Sequence, residues 1–491
     1  MSFTSLHFLL FFPIVTRLYF IVPYRQRWVL LVIASYYFYM SWRPWYALLL
    51  LFATVVSFGC GLLIASEISE TRRRAYLIAG CAANLAVLFV FKYFDFLNTQ
   101  TRDLMALIGV DYNVPNLDLI LPVAISFHTF QVLSYLIDVY RRKVAPERHL
   151  GIFAVYVVYY PQLVAGPIER AAHFLPQLRR LQTPDPQLAY DERRAVDGLR
   201  LVLRGFVKKL IVADNLALFV DPIYNDPTNA TGAALLLATV AFAFQIYFDF
   251  SAYTDIARGC SRVMGLELVH NFRRPYFALS VADFWKRWHI SLTSWFRDYV
   301  YLPLGGNRMS HGRWIVNVMT VFLLSGLWHG ASWTFVIWGA LHGVYYVVSR
   351  NTANLRATIA SKIGLSNRPV LHTAWQILAT FGLVCFAWIF FRAADVSTAM
   401  TIIGSIGQTV LGLGALGGGA LMDTSFFHDP RFYFAIATVV LFGIWDARKE
   451  YGDIRFSSLA RWQRWAMYYA ACLSILLIGN LGNKQFIYFQ F

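Results

Sequence analysis

The sequence predicts an all-α integral membrane protein: a polytopic bundle of about ten to twelve spanning helices, with additional re-entrant or interfacial helices. Hydrophobic residues make up 58% of the 491 positions and charged residues only 14%. Ordinary soluble domains contain roughly 45–50% apolar and about 25% charged residues. Several apolar stretches also approach the ~20 residues that a helix needs to cross a bilayer. Three of them are residues 45–65, 75–91 and 232–248.

Basic residues give the chain a formal net charge of +16 at pH 7, and many of them lie in loops between the apolar stretches. Cytoplasmic loops of membrane proteins are enriched in Lys and Arg, so we expect these loops to face the cytoplasm. A basic surface also suits nucleic acid, but Trp and Tyr beside apolar spans fit anionic lipid headgroups better. We therefore expect membrane lipids as partners, and no nucleic acid. The most basic stretches are residues 71–74, 140–143, 169–204 and 284–299.

The sequence shows no fixed-period repeat and no low-complexity linker, which favours a single membrane domain over residues 1–491. Its longest polar interruption, residues 169–198, contains three prolines and is predicted to be a cytoplasmic loop with short helical pieces. The five cysteines are scattered without a C-x-x-C pair, so the sequence predicts neither disulfides nor a zinc site. We expect these cysteines to be small buried apolar residues.

The middle of the chain is less regular than a stack of spanning helices. Pro122 interrupts an apolar run, and backbone freed at such a break is tolerated only inside protein or along a wet cavity. Residues 272–306 are too polar to face lipid and too apolar for an ordinary loop, which predicts short interfacial or re-entrant helices. A further helix break, near Ser325 to Gly330, would place His329 inside the bundle.

A histidine at membrane depth is a functional candidate, because a charge there costs about 2.5–3.5 kcal/mol on insertion scales. His329 stands in the stretch LSGLWHGASW, where small neighbours leave room for a substrate to approach the imidazole. Imidazole titrates near neutrality and can take a proton from a hydroxyl nucleophile, so His329 is a candidate general base. The alternative is a structural role, in which the ring hydrogen-bonds a neighbouring carbonyl.

His289, in the stretch FWKRWHISL, is the second candidate. It stands beside Lys286, Arg287 and Trp288, a cationic and aromatic setting that suits an anionic nucleotide-like cofactor or a lipid headgroup. The alternative for the tryptophans is an interfacial anchor belt. Histidine adds little to such anchoring, so His289 needs another explanation.

The motifs of several other enzyme classes are absent from the sequence. It has no H-E-x-x-H, no G-x-S-x-G and no P-loop lysine motif, which argues against zincin, serine-hydrolase and P-loop chemistry. GLGALG at residues 412–417 fits a dinucleotide-binding pattern but lacks the βαβ setting, so we interpret it as a loop. His128, His329 and His342 have no carboxylate or cysteine at ligand spacing beside them, so no metal is expected.

The sequence ends in FIYFQF, residues 486–491, with four aromatic rings in six residues. Burying one Phe is worth roughly 1.5–3 kcal/mol, so such a tail is not expected to remain in water. In an extended tail alternate side chains share a face, which would place Phe486, Tyr488 and Gln490 together. The tail could thread into an apolar tunnel and hold the Tyr488 hydroxyl near His329. The alternative is an aromatic belt at the membrane surface.

Taken together, five stretches resemble the membrane-bound O-acyltransferase (MBOAT) family, and specifically its bacterial alginate O-acetyltransferase branch. The last two, NFRRPYFALSVADFWKRWHISLTSWFRDYVYLPLGGNR and GLWHGASWTFVIWGALHG, are highly specific. The resemblance covers most of residues 89–343, the expected family core. Residues 344–485 match mainly in hydropathy and are expected to be C-terminal membrane helices. The five stretches are residues 122–141, 159–170, 245–259, 271–308 and 326–343.

The resemblance implies a helical bundle with a central tunnel that joins a cytoplasmic acyl-donor side to an acceptor side. The nearly invariant histidine of the family falls on His329, and the histidine that this branch has at a second polar position falls on His289. Tyr488 matches the tyrosine of a C-terminal motif that is thought to relay the acyl group. The implied donor is acetyl-CoA, and the residues expected to bind it are Arg273, Arg274, Lys286, Arg287 and Trp288.

Members of this branch work with a separate periplasmic or surface acetyltransferase of the SGNH or alginate-acetylase type. The resemblance therefore implies a multi-pass O-acetyltransferase of the bacterial inner membrane that passes acetyl groups to such a partner, which modifies alginate, cellulose or another exopolysaccharide. Two alternatives stay open: a peptidoglycan O-acetylation component of the same family, and a transporter whose buried histidines relay protons. A transporter has no reason to carry a tyrosine in a terminal plug and should tolerate Tyr488→Phe.

Overall fold

The computed structural model describes residues 1–164, 166–412, 430–448, 459–480, 482, 486 and 487. Within these ranges the regular structure is helical and there is no strand, which confirms the all-α fold class. Three short segments are π-helical and six single turns are 3₁₀. The α-helices are α1 Leu6–Ile21, α2 Arg27–Met40, α3 Ala47–Ser66, α4 Glu70–Leu88, α5 Phe94–Leu107, α6 Ile125–Tyr140, α7 Leu150–Val158, α8 Tyr160–Leu163, α9 Ala171–Arg179, α10 Glu192–Phe206, α11 Asp214–Asn225, α12 Gly232–Val263, α13 Val281–Arg287, α14 Ile290–Phe296, α15 His311–His329, α16 Trp333–Asn351, α17 Ala353–Lys362, α18 Pro369–Arg392, α19 Val396–Leu411, α20 Pro430–Arg448 and α21 Arg461–Ile478.

Four helices of the described chain are long and apolar enough to cross a bilayer, and α1, α19 and part of α20 are shorter apolar helices. The protein is thus a multi-pass membrane protein. The predicted count of about ten to twelve spans is larger, because hydropathy reasoning also counts apolar stretches in which the helix is short or interrupted. The four spans are Pro44–Ser66, Glu70–Leu107, Gly232–Val263 and Pro369–Arg392.

All five cysteines are free thiols, but they are not all buried. Cys260 and Cys385 are buried, Cys60 and Cys81 are half-buried, and Cys472 is exposed. The expectation that each cysteine is a buried apolar residue is therefore wrong for three of them. Lipid tails are as apolar as a protein core, so a helix in a bilayer can leave such a side chain on its outer face.

The chain divides into two compact units that alternate along the sequence. The first contains Met1–Val202 and Tyr253–His270, and the second contains Leu203–Ala252 and Asn271–Phe491. His289 and all of α13 to α16 belong to the second unit. The predicted domain limits, a core at residues 89–343 followed by C-terminal helices up to residue 485, stay predictions.

In the first unit, the polar loop predicted at residues 169–198 contains short helical pieces, as expected. Glu169 is fully buried at its start. One carboxylate oxygen of Glu169 accepts a hydrogen bond from the backbone N–H of Val269 at 2.6 Å, and the other lies 2.8 Å from Nδ1 of His173. The hydrogen bond with Glu169 raises the pKa of the His173 imidazole above its ordinary value.

In the second unit, only three residues join α15 to α16, so the two helices lie side by side as an antiparallel hairpin. Glycines let their backbones approach closely. A Cβ atom added to Gly326 would lie 2.3 Å from the carbonyl oxygen of Phe335, and one added to Gly339 would lie 2.3 Å from that of Phe322. Real Cβ atoms do not come so near to another atom, so this contact requires glycine at both positions.

The short helices predicted within residues 272–306 are confirmed. α13 and α14 contain seven residues each. Only Trp288 and His289 separate them, so the chain turns a sharp corner there. This corner places His289 between two short helices and not on a long spanning one.

Candidate active site

His329 is the last residue of α15 and is buried, with 4% of its surface exposed. The helix ends there because the backbone of Gly330 is extended. Ser332 then caps the next helix by accepting a hydrogen bond from the backbone N–H of Thr334 at 3.3 Å. The predicted break near Ser325 to Gly330 is therefore confirmed at its C-terminal edge, since α15 runs unbroken through Ser325 and stops at His329.

Aromatic side chains surround the imidazole of His329. The ring centroids of Trp328 and Trp338 each lie 4.9 Å from the centroid of the imidazole, and that of Phe391 lies 5.4 Å away. All three rings meet the imidazole at steep angles, between 69° and 84°. The imidazole is thus enclosed by protein and is not turned towards lipid.

His289 is fully buried and has a left-handed backbone conformation, with φ 44° and ψ 54°. Such a conformation costs a non-glycine residue on the order of 1–3 kcal/mol and persists only where the surroundings enforce it. Asn271 enforces it here. Its backbone carbonyl accepts a hydrogen bond from the N–H of Ile290 at 2.9 Å, and its side-chain oxygen accepts two from Ser291, at 3.1 and 2.9 Å. The start of α14, and with it His289, is therefore held in place.

The two histidines lie close together inside the second unit. Their ring centroids are 6.3 Å apart, and Trp328 lies beside both rings, 5.7 Å from His289 and 4.9 Å from His329. Two imidazoles at this separation can act on one bound group. One can accept a proton from a nucleophile while the other donates a hydrogen bond to a developing oxyanion.

A third buried histidine, His342, lies behind Trp338. The ring centroid of Trp338 is 4.9 Å from that of His342 and 4.9 Å from that of His329. The indole N–H of Trp285 donates a hydrogen bond to Nδ1 of His342 at 3.3 Å. Because Trp338 contacts both imidazoles from between them, we interpret His342 as a structural partner of the tryptophans.

The predicted cofactor-binding cations lie on two segments that a hydrogen bond joins. The backbone N–H of Arg273 donates to the carbonyl oxygen of Arg287 at 2.9 Å. Arg273 and Lys286 are exposed and Arg274 is half-buried. The guanidinium of Arg287 lies 2.8 Å from the carboxylate of Asp283. The exposed charges of Arg273 and Lys286 are thus accessible to a solvated anion.

Trp288, by contrast, is fully buried. Its ring packs against Phe272, Trp388 and Phe284 at centroid distances of 5.1, 5.2 and 5.5 Å. It therefore belongs to the aromatic core next to His289 and not to the exposed basic surface. A role for Trp288 in cofactor binding stays a prediction to which this placement gives no support.

The described part of the C-terminal tail reaches the neighbourhood of His289. Phe486 and Ile487 are both buried. The ring of Phe486 lies 5.5 Å from that of Phe250, which in turn lies 4.7 Å from the imidazole of His289. The backbone N–H of Ile487 donates a hydrogen bond to Oδ2 of Asp249 at 2.7 Å. At these two residues the tail lies inside the protein and not in an aromatic belt at its surface.

Tyr488, the predicted relay, follows Ile487 directly and lies outside the described residues. Gln490 and residues 413–417 of the GLGALG stretch also lie outside them. The predicted alternation of side chains along the tail, and the central tunnel, therefore stay predictions.

Among the described residues, no group of three or more His, Cys, Asp or Glu side chains is arranged to hold a metal ion. Of the histidines considered as ligands, His128 lies in the first unit and His342 packs against tryptophans. The polar groups that the structure brings together at the site are the imidazoles of His289 and His329.

The sequence profile of MBOAT, the membrane-bound O-acyltransferase family, matches residues 147–394, which include both histidines. One relative, the probable alginate O-acetylase AlgI of Pseudomonas aeruginosa, is 38% identical over 402 residues, which cover 81% of this chain and 73% of the relative. The chain belongs to the membrane-bound O-acyltransferase family. This membership confirms the resemblance inferred from the motifs around His289 and His329.

Two further MBOAT relatives have different names. The peptidoglycan O-acetyltransferase of Helicobacter pylori is 33% identical over 503 residues, which cover 94% of this chain and 91% of the relative. The teichoic acid D-alanyltransferase of Bacillus subtilis is 28% identical over 291 residues, which cover 56% of this chain and 70% of the relative. The three names share acyl transfer and differ in acceptor. This MBOAT protein is therefore a membrane O-acyltransferase, and the transporter alternative is set aside.

Sequence reasoning missed several residues that build the MBOAT site. Asn271 and Asp249 stand in the motifs quoted for the family, but no role was assigned to either. Phe391 comes from α18, in a region that matches the family mainly in hydropathy. A signal for Asp249 existed, because a carboxylate next to a long apolar stretch is a functional candidate at membrane depth.

Proposed function

We propose that this MBOAT enzyme takes an acetyl group from acetyl-CoA and passes it, through Tyr488, to an extracytoplasmic partner that O-acetylates a polysaccharide. The observation that carries this proposal is a continuous series of ring contacts from the tail to the two histidines. Phe486 contacts Phe250, Phe250 contacts His289, and His289 lies beside His329. Tyr488 is two positions beyond Phe486 in the sequence. Two residues span at most about 7 Å from Cα to Cα, because one residue spans at most ~3.6 Å.

The donor side of the proposal rests on the basic segments around α13. Acetyl-CoA carries several phosphate charges, and exposed guanidinium and ammonium groups bind phosphate well. Arg273 and Lys286 are exposed on segments that are joined by the hydrogen bond from Arg273 to Arg287. Lys286 stands three positions before His289, and Arg273 is joined to Arg287, so both cations lie on segments that lead to the histidine pair. The phosphates would bind there, and the pantetheine arm would carry the thioester to the histidines. We place the enzyme in the bacterial inner membrane, with this basic surface towards the cytoplasm.

In the first step, the phenolic oxygen of Tyr488 attacks the carbonyl carbon of the thioester. A phenol has a pKa of about 10 and is a poor nucleophile at neutral pH, so His329 takes its proton as the new C–O bond forms. The C–S bond then breaks, the proton passes from His329 to the departing sulfur, and coenzyme A leaves. His289 donates a hydrogen bond to the oxyanion that develops on the carbonyl oxygen.

In the second step, a hydroxyl of the partner attacks the acetyl ester of Tyr488. His329 takes the proton of that hydroxyl and returns it to the phenolic oxygen, so the enzyme regains its starting state. The partner would then carry the acetyl group to the polymer. We propose an exopolysaccharide such as alginate or cellulose as the acceptor, because of the likeness to the alginate O-acetylase. Peptidoglycan is the second candidate, because the peptidoglycan O-acetyltransferase matches 94% of this chain.

The experiment that tests this function uses membranes that contain the enzyme and isotope-labelled acetyl-CoA. We expect release of coenzyme A, and one acetyl group on the C-terminal peptide by mass spectrometry. Tyr488→Phe should abolish the labelled peptide, whereas Tyr469→Phe, at an exposed tyrosine on α21, should leave it unchanged. Normal polymer acetylation by Tyr488→Phe would refute the role of Tyr488 as acetyl relay. A wild-type enzyme that does not consume acetyl-CoA would refute acetyl-CoA as the acyl donor.

A further inference from the structure

Three charged side chains are buried together in the second unit, outside the histidine pair. Lys209 lies in the π-helical segment Val207–Ala213. Its ammonium nitrogen is 2.8 Å from a carboxylate oxygen of Asp214 and 2.7 Å from Oδ1 of Asp249. All three residues are more than nine-tenths buried. Burying such a network is costly unless every charge is well paired, so its presence calls for a specific use.

The C-terminal end of α21 and the residues that follow it bind this same region. The side-chain amide of Asn215 donates to the carbonyl oxygen of Ile478 at 3.1 Å. The backbone N–H of Asn480 donates to the carbonyl oxygen of Leu210 at 3.0 Å, and its side-chain amide donates to that of Asp214 at 3.3 Å. Ile478 and Asn480 are thus hydrogen-bonded to residues 210–215, next to Lys209.

A second attachment follows at Ile487, whose backbone N–H donates to Oδ2 of Asp249 at 2.7 Å. The two carboxylate oxygens of Asp249 therefore have different partners: Oδ1 forms the ion pair with Lys209, and Oδ2 accepts the hydrogen bond from Ile487. A hydrogen bond to an ionised carboxylate is roughly twice as strong as one between neutral groups. The ion pair with Lys209 holds the carboxylate in place for this contact.

The residue after Asp249 connects this attachment to the histidines. Phe250 contacts the ring of Phe486 at 5.5 Å and the imidazole of His289 at 4.7 Å. Two consecutive residues of α12 thus contact both partners: Asp249 binds the backbone of the tail, and the ring of Phe250 packs against His289. The residue that follows Ile487 in the sequence is Tyr488.

We propose that Asp249 is a positioning residue for acyl transfer: its carboxylate, held by Lys209, fixes the backbone of Ile487, the residue directly before the proposed acetyl acceptor Tyr488. This inference rests on the proposed function, in which Tyr488 receives the acetyl group. Reaction rates depend steeply on placement, and a displacement of 1 Å can cost on the order of 100-fold. Lys209 and Asp249 therefore support acyl transfer without contacting acetyl-CoA.

This role differs from a merely structural one in its kinetic signature. If Asp249 positions Tyr488, weakening the contact lowers kcat for acyl transfer to the partner and leaves KM for acetyl-CoA unchanged, because the residues proposed to bind acetyl-CoA are elsewhere. If the contact only stabilises the fold, the amount of folded enzyme falls, whereas the kcat of the folded fraction does not change.

The sharpest test removes the hydrogen-bond donor, the backbone N–H of Ile487, and leaves the buried charges intact. Ile487→Pro deletes the backbone N–H that binds Asp249, whereas Ile487→Val keeps it and serves as the matched control. We expect at least a tenfold lower kcat in the proline variant, an unchanged KM for acetyl-CoA, and wild-type behaviour in the valine variant. Carboxypeptidase Y should also release the tail of the proline variant at least ten times faster than that of the wild type.

A second pair of variants tests the carboxylate itself. Asp249→Asn keeps an oxygen that can accept the hydrogen bond from Ile487, and Asp249→Ala does not. We expect the folded Asn variant to retain several-fold more activity than the folded Ala variant. Equal rates in these two variants would overturn the proposal, as would a wild-type kcat in Ile487→Pro.

The same measurements separate this inference from the proposed function. If the wild type transfers no acetyl group to Tyr488, the proposed relay fails, and the positioning role fails with it. If the wild type transfers the group and Ile487→Pro transfers it equally fast, the relay stands and only the positioning role is refuted.

Discussion

The imidazoles of His289 and His329 lie 6.3 Å apart, although one stands on a strained corner between two short helices and the other ends a long helix. Each residue is fixed independently. Asn271 holds the corner of His289, and the glycine contact between α15 and α16 holds the helix of His329. The backbone contacts of each residue thus set the spacing of the pair, and this spacing agrees with the proposed action of both imidazoles on one substrate.

The first prediction concerns the proposed general base. His329→Ala should lower acyl transfer by about 10²–10⁴-fold, the range that general acid–base catalysis contributes. The matched control is His311→Ala, at an exposed histidine on the first turn of the same helix, and it should retain full activity. Turnover of labelled acetyl-CoA in membranes with equal amounts of folded enzyme measures both variants. An active His329→Ala enzyme would reject the catalytic assignment.

The second prediction separates the chemistry of His289 from its backbone conformation. Asn tolerates the left-handed region better than most residues, whereas a β-branched residue there is a severe outlier. We expect His289→Asn and His289→Val both to lose acyl transfer, with only the Val variant melting at a clearly lower temperature. Thermal unfolding of detergent-solubilised protein tests this difference. Equal melting temperatures for the two variants would contradict this prediction, because they would show that the left-handed backbone at residue 289 does not limit stability.

The third prediction concerns the glycine contact of α15 and α16. Gly326→Ala would place a methyl group against the carbonyl of Phe335, and overpacking of this kind costs about 1–3 kcal/mol. Gly382→Ala, in α18, meets no atom within 4 Å and should be neutral or stabilising by up to about 1 kcal/mol. The melting temperatures of the two variants should therefore shift in different ways. A Gly326→Ala protein as stable as the wild type would show that the helices can separate freely.

The fourth prediction is a pH dependence in the first unit. The hydrogen bond with Glu169 raises the pKa of His173 above its ordinary value of about 6.5. The stabilisation by protonated His173 is therefore fully present below that value and is lost as the pH rises through the higher pKa of the folded state. The melting temperature of His173→Gln should thus differ most from that of the wild type near pH 5.5, and least at alkaline pH.

The matched control for this pH dependence is the same substitution in a Glu169→Gln background. Removing the Glu169 carboxylate removes the largest cause of the raised pKa of His173 and leaves only the weaker effect of Glu267, so the effect of His173→Gln should then depend far less on pH. An undiminished pH dependence in this background would assign the effect to another group.

The burial of His329 could be predicted from sequence, because a histidine at membrane depth has few tolerable environments. The short helices on either side of His289 were also predictable, since their residues suit neither lipid nor water. The fixation of His289 by Asn271 was not predictable, because the backbone carbonyl and the side-chain oxygen of Asn271 accept hydrogen bonds from Ile290 and from Ser291, which is 20 positions away. The attachment of Ile487 to Asp249 joins residues 238 positions apart, and nothing in local sequence encodes such a contact.

The glycine contact between α15 and α16 also has a consequence for redesign. Because no side chain larger than hydrogen fits at Gly326 or Gly339, these two positions cannot be used to change the proposed acyl site beside His329. Phe391, which contacts His329 from α18, is a position that can be varied instead. Libraries that aim to make the enzyme accept longer or branched acyl groups should therefore diversify this phenylalanine and leave Gly326 and Gly339 untouched.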